Sequence, residues 1–265
     1  MIDHKFKKKY GQNFLQDSNI IAKIVKTANI EDNSLVIEIG PGSGALTEFL
    51  TKEALTISYE IDTELKELLD NKFGNNNNSV IIFDDFLNRD VKEDLSKYKY
   101  NKLYVVANLP YYITTPIIER LIDQKLDIEK MVLMVQKEVG DRFTSKCGTK
   151  DYSSITVFLN YFFDIRKEFI VSKNAFYPKP NVDSMIISLN KKINKIKSNN
   201  EELFFKLVRD SFQFKRKTLK NNLRNYDWEK IENYLTKKGY LPTVRAEQLE
   251  LTDYVELSNI LWNQQ

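Results

Sequence analysis

A single cysteine, Cys147, excludes an internal disulfide and fits a reducing compartment. The chain has one histidine, His4, too few beside that cysteine for a zinc site of the usual kind, and no metal is expected. Nor does any Ser-His or Cys-His pair look placed for nucleophilic catalysis. No apolar run is long enough to span a membrane, and the mean hydropathy is -0.45. Met1-Ile2-Asp3-His4-Lys5 lacks an apolar core, so no signal peptide is expected. The net charge is only +3, which leaves local clusters to carry any preference for a polyanion. Chemistry performed by such a chain borrows its reactive group from a cofactor.

What is present is a globular composition, with 42% hydrophobic and 29% charged residues over 265 positions. Four short apolar runs each end in polar binding groups and alternate with helical stretches. That pattern predicts an α/β fold with a doubly wound, mainly parallel sheet. Open sheets of this kind bind ligands at the carboxyl ends of their strands. The first strand enters Gly40-Pro41-Gly42-Ser43-Gly44 with Glu38 just before it. Alternate glycines let backbone approach a ligand closely. The second, Leu55 to Tyr59, ends in Glu60-Ile61-Asp62, about where a carboxylate accepts from a ribose diol. Turn and spaced acid leave nicotinamide and flavin cofactors open. The spacing is not that of a pyrophosphate loop, however, and an acid beside the turn repels a pyrophosphate but attracts a cationic ligand.

The third strand, Val80 to Phe83, ends at Asp84-Asp85-Phe86. An Asp there can bond an adenine amine, with Phe86 and Ile61 on either side of the ring; a solvated loop or helix cap is the plainer use. The fourth strand, Leu103 to Ala107, delivers Asn108-Leu109-Pro110-Tyr111. Pro110 stops the ladder. The Asn108 side-chain oxygen and a freed backbone carbonyl can accept both hydrogens of an exocyclic amine, and Tyr111 can stack on its ring. Those are the parts needed to hold an extruded adenine. A common strand-end turn is the alternative.

Further on, a helix is expected from Thr115-Pro116 to Ile122 and a fifth strand over Lys130 to Val135. Thr156 to Phe163 and Val182 to Leu189 are expected to complete the sheet as helix and strand. Between them, Phe176-Tyr177-Pro178-Lys179-Pro180 is a stiff loop able to hold Phe176 over a cleft. Lys191 to Asn200 has no apolar period and reads as a linker. Beyond it, helices are expected over Leu203 to Leu223, Tyr226 to Lys238 and Ala246 to Asn263. From Arg209 to Arg224 there are six basic residues against one acid, Asp210. Lys215, Arg216, Lys217 and Lys220 stand there, and Arg245 further on. With Lys7, Lys8 and Lys9 in an aromatic-rich N-terminal arm, they are candidates for an RNA backbone, or simply solvated charges. The domains expected are 1–192, catalytic, and 200–265, small, helical and RNA- or ribosome-binding.

In this order the pieces resemble the bacterial small-subunit rRNA adenine dimethyltransferase family, KsgA/RsmA, related to the Erm methyltransferases. The matching residues are Gly11 to Leu15, Glu38 to Gly44, Glu60, Asp85, Asn108 to Tyr111 and Gln136 to Val139. Phe176 to Asp183, Phe214 to Thr218 and Arg245 to Glu247 also match. Tyr112 departs from the family, many of whose members carry Asn there. The resemblance implies a Rossmann-like class I methyltransferase with a C-terminal all-helical domain. It implies S-adenosylmethionine held by Asn13, Leu15, Gly40, Glu60, Asp85 and Asn108, to which the strand tips add Glu38, Gly42, Ile61 and Phe86. It implies two methyls on each of two adjacent adenosines near the 3′ end of 16S rRNA, within the small subunit or its precursor. A cytoplasmic monomer, off the membrane, is expected. An Erm-type enzyme acting on 23S rRNA, or an assembly factor working mainly by binding, are the alternatives.

Overall fold

The structure is a computed structural model that describes residues 13–194 and 196–262. In chain order its elements begin with β1 (Phe14–Leu15), α1 (Ser18–Ala28), β2 (Ser34–Ile39), α2 (Thr47–Glu53) and β3 (Leu55–Glu60). Then come α3 (Lys66–Phe73), β4 (Ser79–Phe83), α4 (Val91–Leu95), β5 (Lys102–Asn108), α5 (Thr114–Asp123), β6 (Ile128–Gln136) and α6 (Lys137–Phe143). After α7 (Ser154–Phe162), β7 (Phe163–Val171), β8 (Phe176–Tyr177) and β9 (Ser184–Lys191), the remainder is helical. It comprises α8 (Glu201–Ser211), α9 (Leu219–Asn222), α10 (Trp228–Lys237) and α11 (Leu251–Trp262).

Two compact units form: residues up to 140 with 166–191, and 141–165 with residues from 192 onward. In the first, a seven-stranded sheet has the order β4-β3-β2-β5-β6-β9-β7. Strands β4, β3, β2, β5 and β6 run parallel, and β9 pairs antiparallel with β6. The chain builds outward from β2 through β3 to β4, then returns to lay β5 on the other side of β2. That reversal opens a crevice between β2 and β5.

Every residue of β2 is buried, as a parallel strand covered on both faces requires. Val36, Tyr104, Val106, Val132, Met134 and Ile186 share one face and pack with Ile21, Ile24 and Val25 of α1 and Leu50 of α2. Each fully buried aliphatic side chain stabilises by about 1.5–3 kcal/mol, and a one-residue slip would turn this set to the wrong face. Asp17 caps α1 by accepting from Asn19 and Ile20 N–H, and Asn29, with φ +49°, closes its other end. That fixes where the N-terminal segment enters. Its Phe14–Leu15 pairs antiparallel with Phe176–Tyr177, as β1 with β8.

The second unit has its own core. Phe204, Leu207, Leu219, Ile231 and Leu257 are fully buried beside Val157 and Tyr161 of α7. The buried Asp253 carboxylate accepts the hydroxyls of Tyr234 and Tyr240 at 2.8 and 2.6 Å.

Three expectations are corrected. Residues 141–165, α7 included, group with the helical tail instead of completing the sheet domain 1–192. The ninth strand fills the position expected of Val182 to Leu189, but β7 was not foreseen. Its Arg166-Lys167-Glu168 centre hides the alternation, which a sheet-edge strand does not need. Finally, the helix expected over Leu203 to Leu223 stops at Ser211. Residues 212–218 form turns, and α9 restarts behind Thr218, whose side chain accepts from Asn221 N–H.

Candidate active site

The tips of β2, β3, β4 and β5 meet around one cleft in the first unit, enclosing about 1170 Å³ of space that includes open solvent. Asn13, Leu15, Glu38, Gly40, Gly42, Glu60, Ile61, Asp85, Phe86 and Asn108 all line it, as do Leu109, Pro110 and Tyr111. Residues scattered over nearly a hundred positions are thus brought to one crevice, at the reversal of strand order.

The glycine turn is built around left-handed backbone. Gly40, Gly42 and Gly44 have φ of +73°, +57° and +81°. The Gly40 N–H donates to the Tyr59 carbonyl at 2.9 Å, tying the turn to β3. Gly42 donates to Glu60 Oε2 at 3.0 Å, while Glu60 Oε1 accepts from Asp62 N–H at 2.9 Å. Glu60 therefore shapes the turn with lone pairs of both its oxygens, each of which keeps further accepting capacity. Burial raises its pKa. A Cβ on Gly42 would lie 2.5 Å from Phe14 Cε1. Gly42→Ala is expected to strain the turn, push Phe14 from the cleft wall and lower the Tm by about 3–8 °C, read by thermal melting. A melt unchanged within a degree would contradict this packing.

Glu38 is 1% exposed. Its Oε2 accepts from the Thr47 and Ser58 hydroxyls, both at 2.7 Å. Oε1 is buried with no hydrogen-bond partner among the described residues. Desolvation pushes the pKa up to about 7, against the lowering effect of the two hydroxyls and with a smaller push from Glu60. Thr47 and Ser58 are site residues beyond those the sequence suggests; for Ser58, in β3, a hydroxyl inside an otherwise apolar strand is the available signal, whereas Thr47 opens α2 and carries none.

Asp85 uses Oδ1 to accept from Leu87 N–H at 3.0 Å, capping a short turn, and Oδ2 to accept from Asn88 Nδ2 at 3.2 Å. Phe86 is buried edge-to-face against Tyr59, with ring centroids 5.2 Å apart, whereas Ile61 is 42% exposed. The Asn108 amide donates to the Asn13 carbonyl at 3.2 Å. A carbonyl needs a donor, so this contact settles which amide atom is nitrogen and leaves the oxygen to accept. The Pro110 carbonyl is occupied by Ile113 N–H and the Thr114 hydroxyl. No such bond reaches the Leu109 carbonyl among the described residues. The half-buried Tyr111 is tethered through its hydroxyl to Ser184 Oγ at 2.8 Å.

Phe176 is not on the cleft wall. It is 4% exposed and packs with Leu15, Ile21 and Val171 in the core, because β8 is pinned to β1. Phe14, opposite Tyr177 in that pair, lines the cleft between Asn13 and Leu15, the two residues of the Gly11 to Leu15 motif expected at the cofactor. In the second unit Lys215, Arg216 and Lys217 occupy an exposed turn, not a helix. Lys220 lies 5.4 Å from the Trp228 ring centroid, and exposed Arg245 precedes a short turn. Lys7, Lys8 and Lys9, with Gly11 and Gln12, lie outside the described residues.

These groups fit S-adenosylmethionine. Glu38 offers a buried carboxylate oxygen in need of a partner, the glycine turn presents bare backbone, and the β3 and β4 tips supply acceptors beside apolar walls.

Residues 3–263 match the family model described as ribosomal RNA adenine dimethylase. The chain is 42% identical to ribosomal RNA small subunit methyltransferase A of Streptococcus gordonii, covering 97% of this chain and 92% of the relative. It is 43% identical to the protein of that name from Bacillus mycoides, covering 97% and 91%. Among solved structures, a dimethyladenosine transferase of Plasmodium falciparum is similar at 27% identity and a TM-score of 0.74, covering 92% of this chain and 95% of that one. The 23S rRNA methyltransferase ErmE is similar at 27% and 0.73, covering 94% and 99%. With a cleft suited to a cationic cofactor at the sheet's reversal, and a family match over almost its whole length, the chain belongs to the ribosomal RNA adenine dimethylase family, S-adenosylmethionine-dependent methyltransferases of rRNA.

Proposed function

We propose that this enzyme dimethylates two adjacent adenosines near the 3′ end of 16S rRNA, in the small subunit or its precursor, acting as a cytoplasmic monomer. The observation that carries the reading is Asn108. Its amide nitrogen is committed to Asn13, its oxygen is left to accept, and it shares one cleft with the glycine turn. The two S. gordonii and B. mycoides relatives, both named for the small subunit, favour that target over the large-subunit one.

Asn13, Leu15, Glu38, Gly40, Gly42, Glu60, Ile61, Asp85, Phe86 and Asn108 hold the cofactor. When bound, S-adenosylmethionine supplies a methyl group on a positively charged sulfur. The adenine amine is a poor nucleophile because its lone pair is delocalised into the ring. Hydrogen bonds from its two hydrogens to the Asn108 oxygen and the Leu109 carbonyl favour a more pyramidal nitrogen and aim the lone pair. Tyr111, tethered by Ser184, stacks on the extruded base. Each transfer would break a carbon–sulfur bond, leave S-adenosylhomocysteine and release one amine proton to solvent; a hydrogen would remain after the first, so a second round would need only a pivot and fresh cofactor.

Undermodified small subunits incubated with tritium-methyl S-adenosylmethionine should take label into their 16S rRNA. Label only in large-subunit RNA would move the target to 23S rRNA. Tight particle binding with no label would make the chain an assembly factor. Replacing Lys215, Arg216 and Lys217 together with Ala should weaken RNA binding and reduce the slope of log K against log salt by about 2 to 3. An unchanged slope would take this turn off the RNA surface.

A further inference from the structure

Phe214 is an aromatic ring 56% exposed at the head of the basic turn. Apolar rings are ordinarily given to the core, and its neighbour Phe212 is: that ring packs against Tyr152 and Tyr254, with centroids 6.2 and 6.0 Å away. The backbone that carries Phe214 is held by a clamp. Asn222 accepts from the Phe214 N–H at 3.2 Å and donates to the Phe214 carbonyl at 3.3 Å. The same Asn222 amide donates to the Ser211 carbonyl at 2.7 Å, and Lys217 N–H closes the turn on Phe214 O at 2.9 Å. Beyond the turn, Leu219 is fully buried and its N–H donates to the Val244 carbonyl at 2.8 Å. The backbone under the ring is thus fixed at both ends. Lys215, Arg216 and Lys217 follow it, all exposed, and none is within 4.0 Å of a carboxylate among the described residues.

We infer that Phe214 is a stacking platform for one unpaired base of the rRNA substrate, with Lys215, Arg216 and Lys217 on the adjoining phosphates. This rests on the rRNA reading above and adds a contact made by the second unit. Three unneutralised cations select a polyanion. A ring face offered to solvent selects a flat apolar partner, and an unpaired base is the part of RNA that presents one. A duplex keeps its base faces stacked inward and would use the cations alone. Because the clamp orders the turn before binding, little entropy is lost when a base docks.

Stacking and charge are separable by salt. Phe214→Ala should weaken binding to undermodified small subunits about tenfold, the low end of what one stacked base is worth, and leave the salt slope unchanged. Phe214→Tyr should restore it, and Phe214→Leu should not. Phe214→Trp supplies a direct readout over the background of Trp228 and Trp262. Its added fluorescence should be quenched by single-stranded oligoadenylate and scarcely by duplex RNA of equal length. Wild-type affinity in Phe214→Ala, rescue by Leu as complete as by Tyr, or equal quenching by duplex would overturn the inference. So would weakened subunit binding without any quenching by oligoadenylate, which assigns the ring to a ribosomal protein. Methyl transfer by the wild-type enzyme tests the parent reading independently, so the two can fail separately.

Discussion

Asn108→Ala should lower the rate of methyl transfer about 10²–10³-fold in single-turnover assays. S-adenosylmethionine binding should weaken by no more than about tenfold. The size follows from removing one preorganised hydrogen-bonding group that acts on the reacting nitrogen. Cofactor binding suffers less because the glycine turn, Glu38, Glu60 and Asp85 are untouched. It does not escape altogether, because the Asn108 amide also anchors the Asn13 carbonyl, and with it the N-terminal side of the cleft. The informative quantity is therefore the ratio of the two effects. A variant that binds cofactor a thousandfold more weakly, yet transfers at the wild-type rate when saturated, would make Asn108 a binding residue only. Full activity would remove the amide from the site.

Substituting Glu38 should produce the second large effect, one visible in pH. Burial disfavours the carboxylate, so the folded protein holds this proton up to about pH 7, whereas the unfolded chain releases it near 4.5. Between those values the native state binds more protons than the unfolded one. Stability contributed by the protonated group is therefore complete at the acid end, and is lost as the pH rises through about 7. The difference corresponds to roughly 3 kcal/mol. Glu38→Gln should abolish that part of the decline, so the variant melts above the wild type at pH 8 and close to it at pH 5. Glu60, raised in the same direction, is intact in both proteins, so the comparison isolates Glu38. Ligand binding should show the opposite trend. A cationic ligand favours the ionised Glu38, so wild-type affinity for S-adenosylmethionine should rise about tenfold from pH 6 to 8. In Glu38→Gln it should be weaker and nearly flat. Parallel pH profiles in the two proteins would show that Glu38 is not the group being titrated.

Much of the cleft was legible because its parts are local. A run such as Ser34-Leu35-Val36-Ile37 announces a buried strand, and alternate glycines announce a turn with positive φ. Asn-Leu-Pro-Tyr marks a strand's end, since proline cannot continue the ladder. These effects act between neighbours in sequence, and the structure has each where the chain suggests it. Phe176 shows where such reading stops. A stiff loop between prolines looks fit to present a ring to solvent, yet whether it does depends on what the loop meets. Here it meets Phe14–Leu15 from the other end of the domain, and Phe176 is drawn inward as the pair forms. The basic stretch fails differently. Its spacing suits a continuous helix, but Phe212 is claimed by Tyr152 and Tyr254, and Thr218 caps a new helix, so the cations are presented on a turn.

By itself, then, the sequence determined the sheet class and the four polar strand tips that line the cleft. Those follow from composition and from short-range backbone preference. Only the tertiary structure decided that Asn13 fixes the Asn108 amide from 95 residues away. It also decided that Thr47 and Ser58 hold Glu38, that 141–165 joins the helical unit, and that Phe214 rather than Phe176 is the exposed ring. Each of these is a contact between segments distant in sequence. Its free energy comes from burial that exists only once both segments are in place, so no local pattern records it.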